Sequence, residues 1–119
     1  MEGGDFLLYE KLVIRNRKGT YVLALEEILY MEKNLRKICV YTQTNQVEFY
    51  GRFPDILDCL DDRFLYCHRS YVINMDRVVV MTNKRIFVTN NACIFFGRDT
   101  YCRAKKIFDA YLDKKIGRK

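Results

Sequence analysis

Among 119 residues there is one histidine, and five cysteines at 39, 59, 67, 93 and 102 never adopt C-x-x-C spacing. A lone imidazole and scattered thiols do not make a tetrahedral zinc site, so no metal is expected. The odd cysteine count favours reduced thiols packed as small hydrophobes, with Cys67, close to Arg69, the one whose reactivity is worth testing. No G-x-S-x-G, H-E-x-x-H or P-loop is present, and His68 cannot be matched to a nucleophile and an orienting acid. Neither an enzyme nor a cofactor is expected. No apolar run approaches the roughly 20 residues that cross a bilayer, and Met1-Glu2-Gly3-Gly4 lacks the makings of a signal peptide. A cytoplasmic location away from membranes follows as the expectation. Internal repeats and low-complexity linkers are also missing.

What is there is an ordinary globular balance: 50% hydrophobic and 30% charged residues, enough for one domain with a core. Residues 1–5 read as a tail or cloning scar, 6–115 as the domain and 116–119 as a C-terminal tail. The net charge of +6 is unevenly spread. Residues 1–60 carry 8 Lys/Arg against 9 Asp/Glu, whereas 61–119 carry 13 against 6. The basic half points to a phosphate-rich partner, because neutralising phosphates releases condensed counterions.

Short apolar runs broken by turn residues predict many antiparallel strands. Phe6-Leu7-Leu8-Tyr9 and Leu12-Val13-Ile14 come first, then a turn at Asn16-Arg17-Lys18-Gly19 and a return over 20–24. Ile28 to Glu32, Ile38 to Thr42 and Val47 to Tyr50 follow. Phe53, Ile56, Leu57 and Leu60 fall on one helical face, with Pro54 in the first turn, and predict a first short helix. Strands are expected at 64–66, 71–73, 78–81, 86–88 and 93–96. A closing helix is expected with Tyr101, Ala104, Ile107, Phe108, Tyr111 and Leu112 on one face. Asp99 or Thr100 would cap it, Lys114-Lys115 would suit its dipole and Gly117 would end it. The expected fold is mainly β, with small antiparallel sheets and two short helices.

Three polar corners interrupt the strands: Lys33-Asn34-Leu35-Arg36-Lys37, His68-Arg69-Ser70 and Gly97-Arg98-Asp99-Thr100. Each holds an arginine, whose forked donors can grip the O6/N7 edge of guanine as a lysine point charge cannot. Loop arginines serve equally well as plain solubility charges, and His68 beside a strand end suits a hydrogen-bonded core residue better than a ligand contact. Lys84-Arg85 reads as a solvated hairpin tip within reach of phosphate. Asn74 reads as a backbone bend, Asp61-Asp62 as a helix exit and Glu26-Glu27 as a solvated face. The phenylalanines at 49, 87, 95, 96 and 108 lie in apolar faces and are expected in the core rather than as stacking platforms for single strands.

From about Leu12 to Leu112 the chain resembles the LytTR family of bacterial DNA-binding domains. The resemblance rests on "EEILYME" at 26–32, "EFYG" at 48–51, "LDDRFLYCHRSYVIN" at 60–74 and "FFGRDTYCRAKKI" at 95–107. It implies an antiparallel, predominantly β sandwich that binds double-stranded DNA through loops. It further implies the output domain of a two-component response regulator, binding promoter direct repeats in successive major grooves and bending the DNA. Pairing of two copies on DNA, or through a receiver domain these residues do not include, is implied as well. Base contacts then fall on Arg36 or Lys37, on Arg69 with His68 beside it, and on Arg98. Phosphate contacts fall on Lys33, Asn34, Ser70, Lys84 and Arg103. Gly97-Arg98-Asp99 departs from the family's usual Ser-Arg-Arg, which leaves Asp99 to cap the helix or orient Arg98. The alternative is a protein-interaction or ligand-sensing β domain that keeps the fold without reading DNA.

Overall fold

The computed structural model describes residues 10–117. A hairpin of β1 (Lys11–Asn16) and β2 (Gly19–Ala24) comes first. A meander follows: β3 (Ile28–Asn34), β4 (Lys37–Thr42) and β5 (Gln46–Tyr50). A second hairpin, β6 (Phe64–His68) and β7 (Tyr71–Asn74), adds its β7 edge to β3, giving a five-stranded sheet in the order β5-β4-β3-β7-β6. β8 (Val78–Thr82), β9 (Arg85–Val88) and β10 (Cys93–Phe95) form a three-stranded sheet, and α1 (Arg98–Lys115) closes the chain. Every strand pairing among the described residues is antiparallel.

The five-stranded sheet is the middle layer of three, and it has a core on each face. Leu12 and Ile14 of β1 pack with Ile28, Met31, Ile38, Val40, Val47 and Val72 on one side. On the other, Leu29, Leu65 and Ile73 pack with Ile86, Val88 and Ile94 of the small sheet and with Ala104 and Tyr111 of α1. Adjacent residues such as Val72 and Ile73 therefore point to opposite cores, and both are fully buried. A strand wet on one face would alternate apolar and polar, whereas a strand buried on both reads as a continuous apolar run. Each such isoleucine or leucine contributes about 1.5–3 kcal/mol of burial. Asn74 is buried with them, but its amide donates to the carbonyl of Ile28 (2.8 Å) and its oxygen accepts the N–H of Asp76 (2.9 Å). It bends the backbone from β7 into the 3-10 turn Met75–Arg77, as expected of it.

Four expectations need correction. Phe95, expected in the core, is 61% exposed on β10, where the Arg85 guanidinium lies 5.5 Å from its ring. The described residues hold one α-helix, not two: residues 53–60 form 3-10 turns at Phe53–Asp55 and Leu57–Cys59. The buried residues there are Phe53, Ile56 and Cys59, a period of three that belongs to the 3-10 form, while Leu57 and Leu60 are only half-buried. The apolar face of α1 is narrower than its pattern suggests: Ala104 and Tyr111 are buried, but Ile107 and Leu112 are exposed. Neither Asp99 nor Thr100 is its cap; Gly97 takes that position without a side-chain bond, and Asp99 lies inside the first turn, where it favours the dipole. At the far end Gly117 adopts φ 77°, a left-handed conformation that costs glycine little, and donates to the carbonyl of Lys114. The strand expected at residues 6–9 lies outside the described residues. Among the described residues no helix is long and apolar enough to cross a membrane.

Candidate nucleic-acid interface

The first corner is the two-residue turn Leu35-Arg36 that joins β3 to β4, with Asn34 and Lys37 opposite one another as the last strand pair. Leu35 sits at φ 60° with its side chain 85% exposed, a left-handed conformation that costs a non-glycine residue about 1–2 kcal/mol. Two backbone anchors hold the tip. The Arg36 carbonyl accepts the N–H of Gly51 (3.0 Å), and the Lys33 ammonium donates to the Leu35 carbonyl. Lys37 turns aside toward β5, where its ammonium meets Glu48 (3.5 Å) and lies 5.5 Å from the Tyr50 ring. Arg36 is exposed, and its guanidinium has no partner among the described residues. Of the two cations that compete for this corner, Arg36 is the one left to project.

The second corner is the turn Arg69-Ser70 between β6 and β7, which opens beyond the pair His68–Tyr71. β6 carries one extra residue between Leu65 and His68, a bulge that re-aims the strand end. His68 is half-buried: its ring stacks on Phe96 (5.3 Å between centroids) and lies 5.7 Å from Tyr71. Its Nδ1 accepts the N–H of Ser70 (3.0 Å), so Nε2 carries the proton in the neutral ring. The expected base contact at His68 thus coincides with a scaffold residue that braces the turn. The Ser70 carbonyl accepts the N–H of Lys33 (2.8 Å), which ties this turn to the first corner. Arg69 stands at the tip, exposed and without a partner among the described residues.

The third corner is the start of α1. Phe96, buried against His68 and Tyr71, delivers the chain to Gly97, and Arg98 is the first helical residue, exposed. Arg103, one turn on, reaches back to the Cys67 carbonyl (3.4 Å). A fourth element joins here. Asn83 and Lys84 both adopt positive φ in a two-residue hairpin turn of the mirror-image type that suits twisted strands, and the Lys84 carbonyl accepts the N–H of Phe96 (3.0 Å). Arg36, Arg69, Arg98 and Lys84 therefore lie along one connected edge, linked through Lys33–Ser70, His68–Phe96 and Phe96–Lys84.

Two carboxylates near this edge, Glu48 and Glu32, are already engaged, whereas Asp99 beside Arg98 is exposed without a side-chain partner among the described residues. Glu48 pairs with Lys37, and Glu32 accepts hydroxyls from Tyr71 (3.2 Å) and Tyr41 (3.5 Å). Burial, with the Glu32 charge behind it, holds the Tyr71 phenol above its ordinary pKa, so this hydroxyl stays a donor at neutral pH. Burial likewise pushes the Cys67 thiol up, and the Arg103 guanidinium only partly offsets it. Cys67 is thus a packed neutral thiol rather than an activated one. Among the described residues no cluster of histidine, cysteine and carboxylate groups is arranged to hold a metal.

The tip of the β1–β2 hairpin, expected only as a turn, carries a basic surface that the local sequence does not single out. Arg15, Arg17 and Lys18 line an open cleft there with Tyr21, Lys37 and Tyr50, next to the first corner. The signal was present in Asn16-Arg17-Lys18-Gly19, but nothing local told that this turn shares an end with the Arg36 loop.

The family model for the LytTr DNA-binding domain matches residues 18–109. Accessory gene regulator protein A of Staphylococcus aureus is 25% identical over 97 residues, covering 80% of this chain and 38% of that protein. Its counterpart in Staphylococcus epidermidis is 29% identical over 76 residues, 62% of this chain and 31% of that protein. The chain therefore spans less than two fifths of the length of these curated relatives. The solved LytTr DNA-binding domain of a putative methyl-accepting/DNA response regulator from Bacillus cereus superposes with a TM-score of 0.71 at 15% identity, covering 84% of this chain and 97% of that one.

Proposed function

The chain belongs to the LytTr DNA-binding domain family, a family of regulator domains rather than enzymes, and from that premise we propose that it is a sequence-specific duplex-DNA reader within a bacterial two-component transcription regulator. The observation that carries the reading is the connected edge on which Arg36, Arg69 and Arg98 project without partners among the described residues. Arg69 reads a guanine edge from the braced second corner, Arg36 does so from the first, and Arg98 anchors the third. Lys33, Asn34, Ser70, Lys84 and Arg103 set register against phosphates without reading sequence. His68 acts through Arg69, by holding the turn that presents it.

Arginine tips spread along an edge, rather than one helix laid in one groove, favour contact with more than one groove of the same duplex. The DNA then bends toward the protein. A smooth bend of a 20–30 base-pair site costs roughly 1–6 kcal/mol, offset by the added contacts. Promoter direct repeats are the matching target, each read by one copy of the domain. Selection of random duplexes at physiological salt tests this. Recovery of a repeated motif is expected; binding that is motif-free and abolished by salt would favour a protein-interaction domain that has only kept the fold.

A further inference from the structure

The tip of the β1–β2 hairpin is a cationic surface that none of the corner assignments uses. Arg17 and Lys18 form its two-residue turn, both exposed, beyond the closing pair Asn16–Gly19. The tip is mounted rigidly. The Asn16 side-chain oxygen accepts the N–H groups of Lys18 (2.8 Å) and Gly19 (3.2 Å), while its amide donates to the Glu48 carbonyl on β5 (2.7 Å). Glu48 is also the carboxylate that pairs with Lys37. One short chain of contacts thus runs from the β1–β2 turn through β5 to the Arg36 corner. Between them lies an open cleft of about 630 Å³, flanked by Arg15, Arg17 and Lys18 on one wall and by Lys37 and Tyr50 on the other. Tyr50 is 72% exposed there, unusually bare for a tyrosine on a strand.

We propose that Arg17 and Lys18 clamp the sugar–phosphate backbone flanking the base pairs read by Arg36. This deepens the DNA-reading function and rests on it. The occupant follows from chemistry. The cleft is too open to enclose a small ligand. Among the described residues its one lining carboxylate, Glu48, is already paired, and its cations stand beside a base-reading corner where a duplex continues past the last base contact. Lys18 is a point charge on a flexible stem and the Arg17 fork matches a phosphate bidentately, so a tip beside a base-reading corner suits backbone phosphates. The rigid Asn16 mount means little ordering is left to lose on binding.

The test compares Arg17→Ala/Lys18→Ala with wild type, using Lys114→Ala/Lys115→Ala at the far end of α1 as an equal loss of charge. On a selected duplex and on an unrelated one, the hairpin variant is expected to bind about tenfold more weakly. The slope of log affinity against log salt should fall by about two, since each phosphate contact contributes about 0.9. Base preference should not change. On duplexes whose flanking linkages are uncharged methylphosphonates, the difference from wild type should vanish. Wild-type affinity and slope in the hairpin variant, with Arg69→Ala still relaxing base preference, would overturn the clamp and leave the reading function intact. A loss as large in the α1 variant, or altered base preference in the hairpin variant, would overturn it too. Absence of duplex binding by the wild type would remove the premise itself.

Discussion

Arg69 and Arg36 both stand at two-residue turns on the same end of the five-stranded sheet, yet the two tips are held in different ways. The Arg69 turn is braced by side chains: His68 stacks on Phe96, leans on Tyr71 and caps the Ser70 N–H. Its turn residues need no left-handed backbone. The Arg36 turn leans on backbone and charge instead, through the Gly51 N–H and the Lys33 ammonium, and carries an exposed leucine at φ 60°. One tip is stiff because a core reaches up to it; the other projects beyond the core and tolerates strain. A reader that must enter two grooves benefits from both, with a fixed first contact and a second that reaches further.

Substitutions at each tip break or sharpen this contrast. The largest stability effect is expected at His68→Ala, which removes two ring contacts and a backbone acceptor and should lower unfolding free energy by about 2 kcal/mol in urea titration. His68→Gln restores an acceptor but not the stacking, and about half that loss should remain. A change below 0.5 kcal/mol at His68→Ala would mean that the brace is ornamental. Glycine scanning then separates the tips by sign. Leu35→Gly relieves the left-handed strain at some entropic cost to the unfolded chain, for a net gain of about 0.5 kcal/mol. Arg69→Gly meets no strain to relieve and should lose about that much. Equal signs would erase the distinction. Lys84→Ala, on the neighbouring hairpin, should weaken specific and unrelated duplexes alike by a few-fold and lower the salt slope by about one; a change in base preference would move Lys84 from backbone to base contact. The smallest effect concerns chemistry: at neutral pH the Cys67 thiol, its pKa raised by burial, should be alkylated more slowly than the exposed Cys93 and Cys102. Preferential labelling of Cys67 would show an activated thiolate instead.

Much of this was legible in the chain because turn chemistry is local. The Asn74 bend and the Gly97 corner lie where their residue types put them, while the tip expected at Lys84-Arg85 falls one residue earlier, on Asn83-Lys84, with Arg85 opening β9. What was hidden depends on distant partners. His68 reads as a hydrogen-bonded residue at a strand end, but the ring it stacks on, Phe96, lies 28 positions further along the chain. The pattern over 53–60 fits an α-helix as well as 3-10 turns, because eight residues hold too few periods to tell 3.6 from 3.0. The order β5-β4-β3-β7-β6 joins strands across a long connection, and that pairing alone brings Lys33 to Ser70 and so the first corner to the second. The Arg17-Lys18 turn reads as a turn, but its neighbourhood is set by a β1–β5 contact that no window of sequence contains.

The central claim is that two differently built tips read different bases of one duplex. Base-preference profiles of wild type, Arg69→Ala and Arg36→Ala, measured at one salt concentration, test it most directly. Each variant should lose roughly 1–3 kcal/mol on the best site and relax preference at one position, the two positions being distinct. Profiles that keep the wild-type preference at every position, with affinity lowered uniformly or not at all, would contradict it.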